Sequence, residues 1–175
     1  VGIPRRIGEK VFLTRNNGLQ NQSVIFVQDQ DGAEERVFLD PNKLSKDGTV
    51  TASLSGASPD GRYVVEVRNA AGSDWQEMRV LDLTTGESTG EVLEWVKFSG
   101  ASWVQDGFYY SRYPAPEGSA FSAENTFHSV YFHKVGTPQD QDELVFRNDN
   151  EPNRYHFAGA CLLYTSDAAD DIPGV

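Results

Sequence analysis

Ser58-Pro59-Asp60-Gly61-Arg62-Tyr63-Val64-Val65-Glu66-Val67 joins a tight turn directly to a strand. Asp-Gly tolerates the positive φ angles of short hairpin turns, and the branched and aromatic residues that follow pack well on a pleated surface. The arrangement returns 46 residues later, where Val104-Gln105-Asp106-Gly107 precedes Phe108-Tyr109-Tyr110. Three further runs keep a similar spacing. Val24-Ile25-Phe26-Val27, Met78-Arg79-Val80-Leu81 and Val130-Tyr131-Phe132-His133 start at positions 24, 78 and 130. A repeat of about 40–55 residues carrying four strands is the mark of propeller blades, because one four-stranded sheet leaves faces that only a neighbouring blade covers. A β-sandwich also spaces its strands closely, but it has no reason to repeat.

Working outward, the same grammar fills the chain. Lys10–Thr14, Ser23–Val27 and Arg36–Leu39 form a first group of strands, and Arg62–Val67 with Glu77–Leu83 belong to a second. Phe108–Tyr110, His128–His133 and Glu143–Phe146 belong to a third. Asp31-Gly32, Asp47-Gly48, Asp60-Gly61 and Asp106-Gly107 separate them, with Thr85-Gly86 in a similar role. Helical periodicity is nearly absent. The expected fold is all-β: a partial β-propeller of about three four-stranded blades plus the start of a fourth. The blades are placed at Lys10–Leu39, Leu54–Leu93 and Phe98–Phe146.

Charge narrows the function classes. The chain of 175 residues carries 26 acidic against 15 basic side chains, a net charge of −11. Such a surface releases no counterions from a phosphate backbone, so neither nucleic acid nor an anionic membrane is an expected partner. No apolar run approaches the length needed to cross a bilayer as a helix. The chain starts Val1-Gly2-Ile3 without Met, so the lack of a leader is uninformative. Its one cysteine, Cys161, rules out an intrachain disulfide. The string Cys161–Asp170, CLLYTSDAAD, looks like the translation of a sequencing adapter. Residues 161–175 therefore read as a non-native tail behind an incomplete propeller domain spanning 1–160.

Motifs that could carry chemistry are few. Gly56-Ala57-Ser58-Pro59-Asp60 is the nearest approach to a G-x-S-x-G nucleophile elbow, but it lacks the final Gly and has Pro where a helix would begin. Ser58 reads as a turn residue, and no catalytic residue is assigned. His128 and His133 bracket one strand at odd spacing, so they face opposite sides and cannot share a metal there. They and His156 read as solvated or core-edge side chains. Asp29-Gln30-Asp31-Gly32 resembles the opening of a calcium loop without its later ligands, and hairpin chemistry explains it. Asn21-Gln22-Ser23 is formally a glycosylation sequon at a strand start, and Asp140–Glu143 reads as a solvated loop. No cofactor or metal is implied.

Motifs in a fixed order carry a family resemblance. Asn17–Val24, Val37–Asn42, Leu44-Ser45 and Asp47-Gly48-Thr49 come first. Gly72-Ser73-Asp74-Trp75, Val96-Lys97-Phe98-Ser99, Tyr113-Pro114 and His133–Pro138 follow, so that the series covers nearly everything up to Ala160. Together they resemble the opening blades of the prolyl oligopeptidase family, with a tighter turn than usual at Asp106-Gly107-Phe108. The resemblance implies a serine peptidase that cleaves short peptides after proline. Its catalytic triad would lie in a C-terminal α/β-hydrolase domain of the same parent chain, capped by a seven-bladed propeller. It implies that Phe98 lines the apolar end of a substrate pocket, against the alternative of a blade-core aromatic. It also implies that Asp74, beside Trp75, faces the domain interface, against the alternative of a local turn cap. Alone, a segment with uncovered blade faces is expected to be marginally stable and inactive. The rival is a stand-alone binding propeller of the WD-repeat or TolB kind, with which Ser-Pro-Asp-Gly is shared.

Overall fold

The computed structural model describes residues 2–29, 32–70, 73–116 and 125–161. Three antiparallel meanders follow one another along the chain, each paired with its neighbours in sequence order. The first comprises β1 (Arg5–Ile7), β2 (Lys10–Arg15), β3 (Val24–Gln28) and β4 (Arg36–Leu39). The second comprises β5 (Thr51–Ala57), β6 (Tyr63–Asn69), β7 (Gln76–Asp82) and β8 (Ser88–Val96). The third comprises β9 (Ser102–Val104), β10 (Gly107–Arg112), β11 (Ser129–Lys134) and β12 (Glu143–Phe146). Strands of the second and third are paired by one bridge, Arg112 opposite Val96. These are three blades of a partial β-propeller, the class expected from the repeat.

The blade limits differ from expectation at their starts. β1, β5 and β9 extend or open their blades and β8 closes the second, although none of the four was among the anticipated strands. After β12, residues 147–161 return across the third blade, with the His156 amide donating to His128 Nδ1 at 3.0 Å and the Ala160 amide to Ser102 Oγ at 2.7 Å. No strand of the expected fourth blade follows Phe146 among the described residues. Most of the tail assigned to an adapter, 162–175, lies outside the described residues. Cys161 is exposed.

Blade two is covered on both faces. Val64 and Leu81 pack into one core with Ile7, Phe12, Ile25, Val27 and Leu39 of blade one. Their neighbours in sequence, Val65 and Val80, pack into another with Trp103, Phe108 and Tyr110 of blade three. The alternation is the period-2 geometry of a strand, used here to serve two cores from one sheet. At about 25 cal/mol per Å² of apolar surface removed from water, each shared core is the main attraction between adjacent blades.

Two glycines mark where backbones meet. A Cβ on Gly56, in β5, would lie 2.2 Å from the Ala101 carbonyl oxygen beside β9, and one on Gly107 would lie 2.2 Å from the His133 carbonyl. The outer side of blade three is open. Leu144, Val145 and Phe146 of β12 are each about half exposed.

Candidate functional site

Because hairpins alternate ends, the β6–β7, β8–β9 and β10–β11 connections and the segment after β12 gather at one end of blades two and three. Aromatic residues collect there. The Trp75 ring meets Trp95 edge-on at 5.6 Å and Tyr113 at 6.0 Å, and Tyr113 meets His128 at 4.9 Å. His128 in turn meets Tyr155 at 5.5 Å and Phe157 at 5.4 Å, and Phe98 meets Tyr155 at 5.6 Å. Tyr113 and His128 are buried at the base of this assembly. Phe98, Tyr155 and Phe157 remain 58%, 55% and 63% exposed. The result is an apolar three-ring patch on a rigid aromatic footing.

The backbone around the patch is strained. Trp95, Phe98 and Phe127 adopt φ of 60°, 53° and 64°. Left-handed conformations cost bulky residues on the order of 1–3 kcal/mol each, and persist only where the surroundings over-determine them. Here the Tyr113 amide donates to the Trp95 carbonyl at 2.9 Å, and His128 Nε2 lies 3.1 Å from the Lys97 carbonyl. The Lys97 ammonium sits 4.3 Å from the Trp75 ring centroid, a cation–π contact that holds a buried lysine beside the ladder. Burial and the neighbouring Tyr155 hydroxyl push the Tyr113 phenol up to about 12. Trp75 and Trp95 also border a cleft of about 350 Å³ edged by Arg68, Glu77, Arg79 and Glu94.

The residues singled out in sequence fall as follows. Phe98 stands on the exposed patch, not in a blade core. Asp74 is exposed one residue from the ladder, and among the described residues no partner engages its carboxylate. The Trp75 amide is capped by Ser73 Oγ at 3.1 Å rather than by Asp74. Trp75 is half-buried in the ladder. Ser58 is a turn residue, as its context predicts: its hydroxyl accepts from the Tyr63 amide at 2.8 Å and donates to Asp60 at 2.6 Å. Asp29 pairs with Lys10 at 2.6 Å and with Arg36 at 3.4 Å, while Gln30 and Asp31 lie outside the described residues.

The expectation of solvated or core-edge histidines is corrected. His128 and His133 are 1% and 0% exposed. They do diverge, His128 into the aromatic footing and His133 into a buried polar cluster between blades two and three. His133 Nδ1 lies 2.7 Å from Asp142 and Nε2 lies 3.2 Å from Glu91, which also accepts from the Gly136 amide. Tyr110 donates to the other Asp142 oxygen at 2.5 Å, and Gln139 donates to Tyr110 at 3.1 Å. Burial disfavours the imidazolium, but hydrogen bonds and charge from Asp142 and Glu91 outweigh it and raise His133 to about 9. Burial likewise opposes ionisation of Glu91, yet His133, Thr89 and the Gly136 amide hold it below the usual range. Burial and then Asp142 raise the Tyr110 phenol. No group of three or more His, Cys, Asp or Glu among the described residues is arranged to hold a metal.

Sequence reasoning missed Tyr155, Phe157, Trp95 and Tyr113 as members of the patch and its footing. The aromatic alternation Tyr155-His156-Phe157 was the available signal, but the returning segment brings it to Phe98 from 57 positions away along the chain.

Residues 1–161 match the prolyl oligopeptidase N-terminal β-propeller domain. The prolyl endopeptidase of Elizabethkingia meningoseptica is 43% identical over 157 residues, covering 89% of this chain and 22% of that protein. A dual-function macrocyclase-peptidase of Galerina marginata is 29% identical over 178 residues, covering 89% of this chain and 23% of its own length. A solved prolyl endopeptidase superposes with a TM-score of 0.78 at 36% identity, over 90% of this chain and 22% of its own. Prolyl oligopeptidase B of Galerina marginata, bound to a 35-residue hydrolysis and macrocyclization substrate, gives 0.76 at 26% identity, over 86% and 24%. The chain thus spans less than a quarter of the length of these relatives. With three sequential four-stranded blades, a shared order of motifs and a match running almost end to end, the chain belongs to the prolyl oligopeptidase N-terminal β-propeller family.

Proposed function

We propose that this chain is the propeller gate of a serine endopeptidase that cleaves short peptides after proline. In this reading the catalytic triad sits in an α/β-hydrolase domain elsewhere on the parent chain. The propeller keeps folded proteins out and supplies part of the substrate-pocket rim. The observation that carries the reading is the exposed patch of Phe98, Tyr155 and Phe157, set on strained backbone over a buried aromatic footing. Strain and exposed aromatics are costly features that a purely structural loop has no reason to keep. Phe98 presents its ring to the apolar end of a bound peptide. Asp74, exposed and without a partner among the described residues, pairs with a cation across the domain interface, with Trp75 beside it.

The test is Phe98→Ala in the full-length protein containing this segment. Removing an aromatic contact from a pocket rim costs on the order of 1–2 kcal/mol of binding, so KM for a proline-containing peptide rises about tenfold while the unfolding midpoint stays put. Unchanged kinetics would remove Phe98 from the pocket.

A further inference from the structure

The patch is assembled from two stretches that share no hairpin. Phe98 comes from the β8–β9 connection, whereas Tyr155 and Phe157 come from the segment after β12. One buried side chain bonds to both. His128 Nε2 reaches the Lys97 carbonyl, one residue before Phe98, at 3.1 Å. His128 Nδ1 receives the His156 amide, between Tyr155 and Phe157, at 3.0 Å. The His128 carbonyl completes the link by accepting from His156 Nδ1 at 2.7 Å.

These partners dictate the protonation state. A backbone N–H only donates, so Nδ1 must be bare, and a carbonyl only accepts, so Nε2 must carry the proton. A second proton would set N–H against N–H inside a site that water does not reach. The groups facing the ring come from each element packed on it. They are the Lys97 carbonyl from the β8–β9 connection, Tyr113 from the end of β10, and Tyr155, His156 and Phe157 from the returning segment. The Lys97 ammonium points to Trp75 instead. None of the ring's hydrogen-bond or aromatic partners among the described residues is a carboxylate that would welcome an imidazolium. Burial accordingly holds His128 below its ordinary value, with the charge of His156 adding to the effect and the Lys97 carbonyl opposing it.

We propose that neutral His128 is a positioning residue that holds Phe98 against Tyr155 and Phe157, and that protonating it releases the two halves of the patch. The role of the patch as a substrate rim rests on the proposed function above; the positioning role does not. Because the folded value lies below the ordinary one of 6.5, the neutral clamp is intact above that pH and is lost as pH falls through the folded value.

The experiment is NMR on the 175-residue chain between about pH 4 and pH 8, reading imidazole nitrogen shifts together with the Phe98–Tyr155 ring contact. The expected result is an Nε2–H tautomer at neutral pH and a ring contact that vanishes in step with His128 protonation. His128→Phe, which keeps ring volume and drops both hydrogen bonds, lacks the contact at every pH. His128→Gln, whose amide offers a donor to the Lys97 carbonyl and an oxygen to the His156 amide and cannot titrate, retains it throughout. Should His128→Phe fail to fold, the titration of the unmodified chain still decides. A contact that survives His128 protonation, or an imidazole doubly protonated at neutral pH, overturns the proposal. In the full-length protein, KM for a proline-containing peptide is expected to rise on the acid side with the His128 titration and to stay level in His128→Gln. If the ring contact follows His128 but KM does not, the positioning role stands and the substrate reading falls.

Discussion

Replacing His133 by Gln removes the cation held between Asp142 and Glu91 in the cluster that joins blade two to blade three. The magnitude follows from the geometry. His133 is fully buried and held between Asp142 at 2.7 Å and Glu91 at 3.2 Å, which raises it to about 9 against an ordinary 6.5. That difference corresponds to roughly 3 kcal/mol at 1.36 kcal/mol per pK unit. Since the folded state binds the proton more tightly, the contribution is complete below about 6.5 and disappears as pH rises through about 9. It is a large share of a typical domain's stability of about 5–15 kcal/mol. The assay is urea unfolding of the chain at a series of pH values from neutral to alkaline, followed by tryptophan fluorescence, for the wild type and His133→Gln. Lysines and tyrosines also titrate at the alkaline end, but they do so in both proteins, so the difference between the curves isolates His133. The advantage of the wild type over the variant should shrink by about 3 kcal/mol between neutrality and the range above about pH 9. Curves that stay parallel across the range would show that His133 is not the charged centre of the cluster.

Two other outcomes follow from named contacts. Ser58→Ala deletes the hydroxyl that accepts from the Arg62 and Tyr63 amides. It should lower the unfolding free energy by about 1–2 kcal/mol in urea unfolding; an unchanged midpoint would contradict the turn role. Val145→Lys places a charge on the half-exposed strand β12 and should suppress concentration-dependent self-association in sedimentation experiments. Equal association of both proteins would show that β12 is not the adhesive edge.

The strands that were legible in the sequence are those written as runs of branched and aromatic residues beside turn signals. Tyr63–Asn69 and Gln76–Asp82 place successive apolar residues in both cores, and their spacing exposes the repeat. β5 was not legible for a physical reason. Its Thr-Ala-Ser-Leu-Ser-Gly-Ala sequence is mostly small residues, and at Gly56 the Ala101 backbone and the Trp103 ring leave no room for a Cβ. Local propensity cannot signal a strand chosen for thinness. β1 is a three-residue charged run, below the length at which alternation is visible. At the site, Phe98 was legible through its motif, but its exposure was not, since the same Val-Lys-Phe-Ser string suits a core or a rim. The histidines were misplaced because their partners are distant in sequence. Glu91 is 42 positions from His133, and Lys97 is 31 from His128. Odd spacing fixed which way each ring points, and nothing local told what it would meet.

One charged residue on β6 guards the pairing of the whole middle blade. Glu66 is completely buried, on the face that Val64 presents to blade one, and both of its oxygens are taken by the Arg68 guanidinium at 2.7 and 3.0 Å. Sliding β6 by a single position would turn that face over, carrying the carboxylate in among Trp103, Phe108 and Tyr110. Arg68 travels with Glu66, so the slip would force a desolvated ion pair among aromatic rings in place of valines, and it is penalised where an all-valine strand would have tolerated it. Sequence variation at position 66 should therefore show up first as heterogeneity in strand alignment, before any loss of compactness.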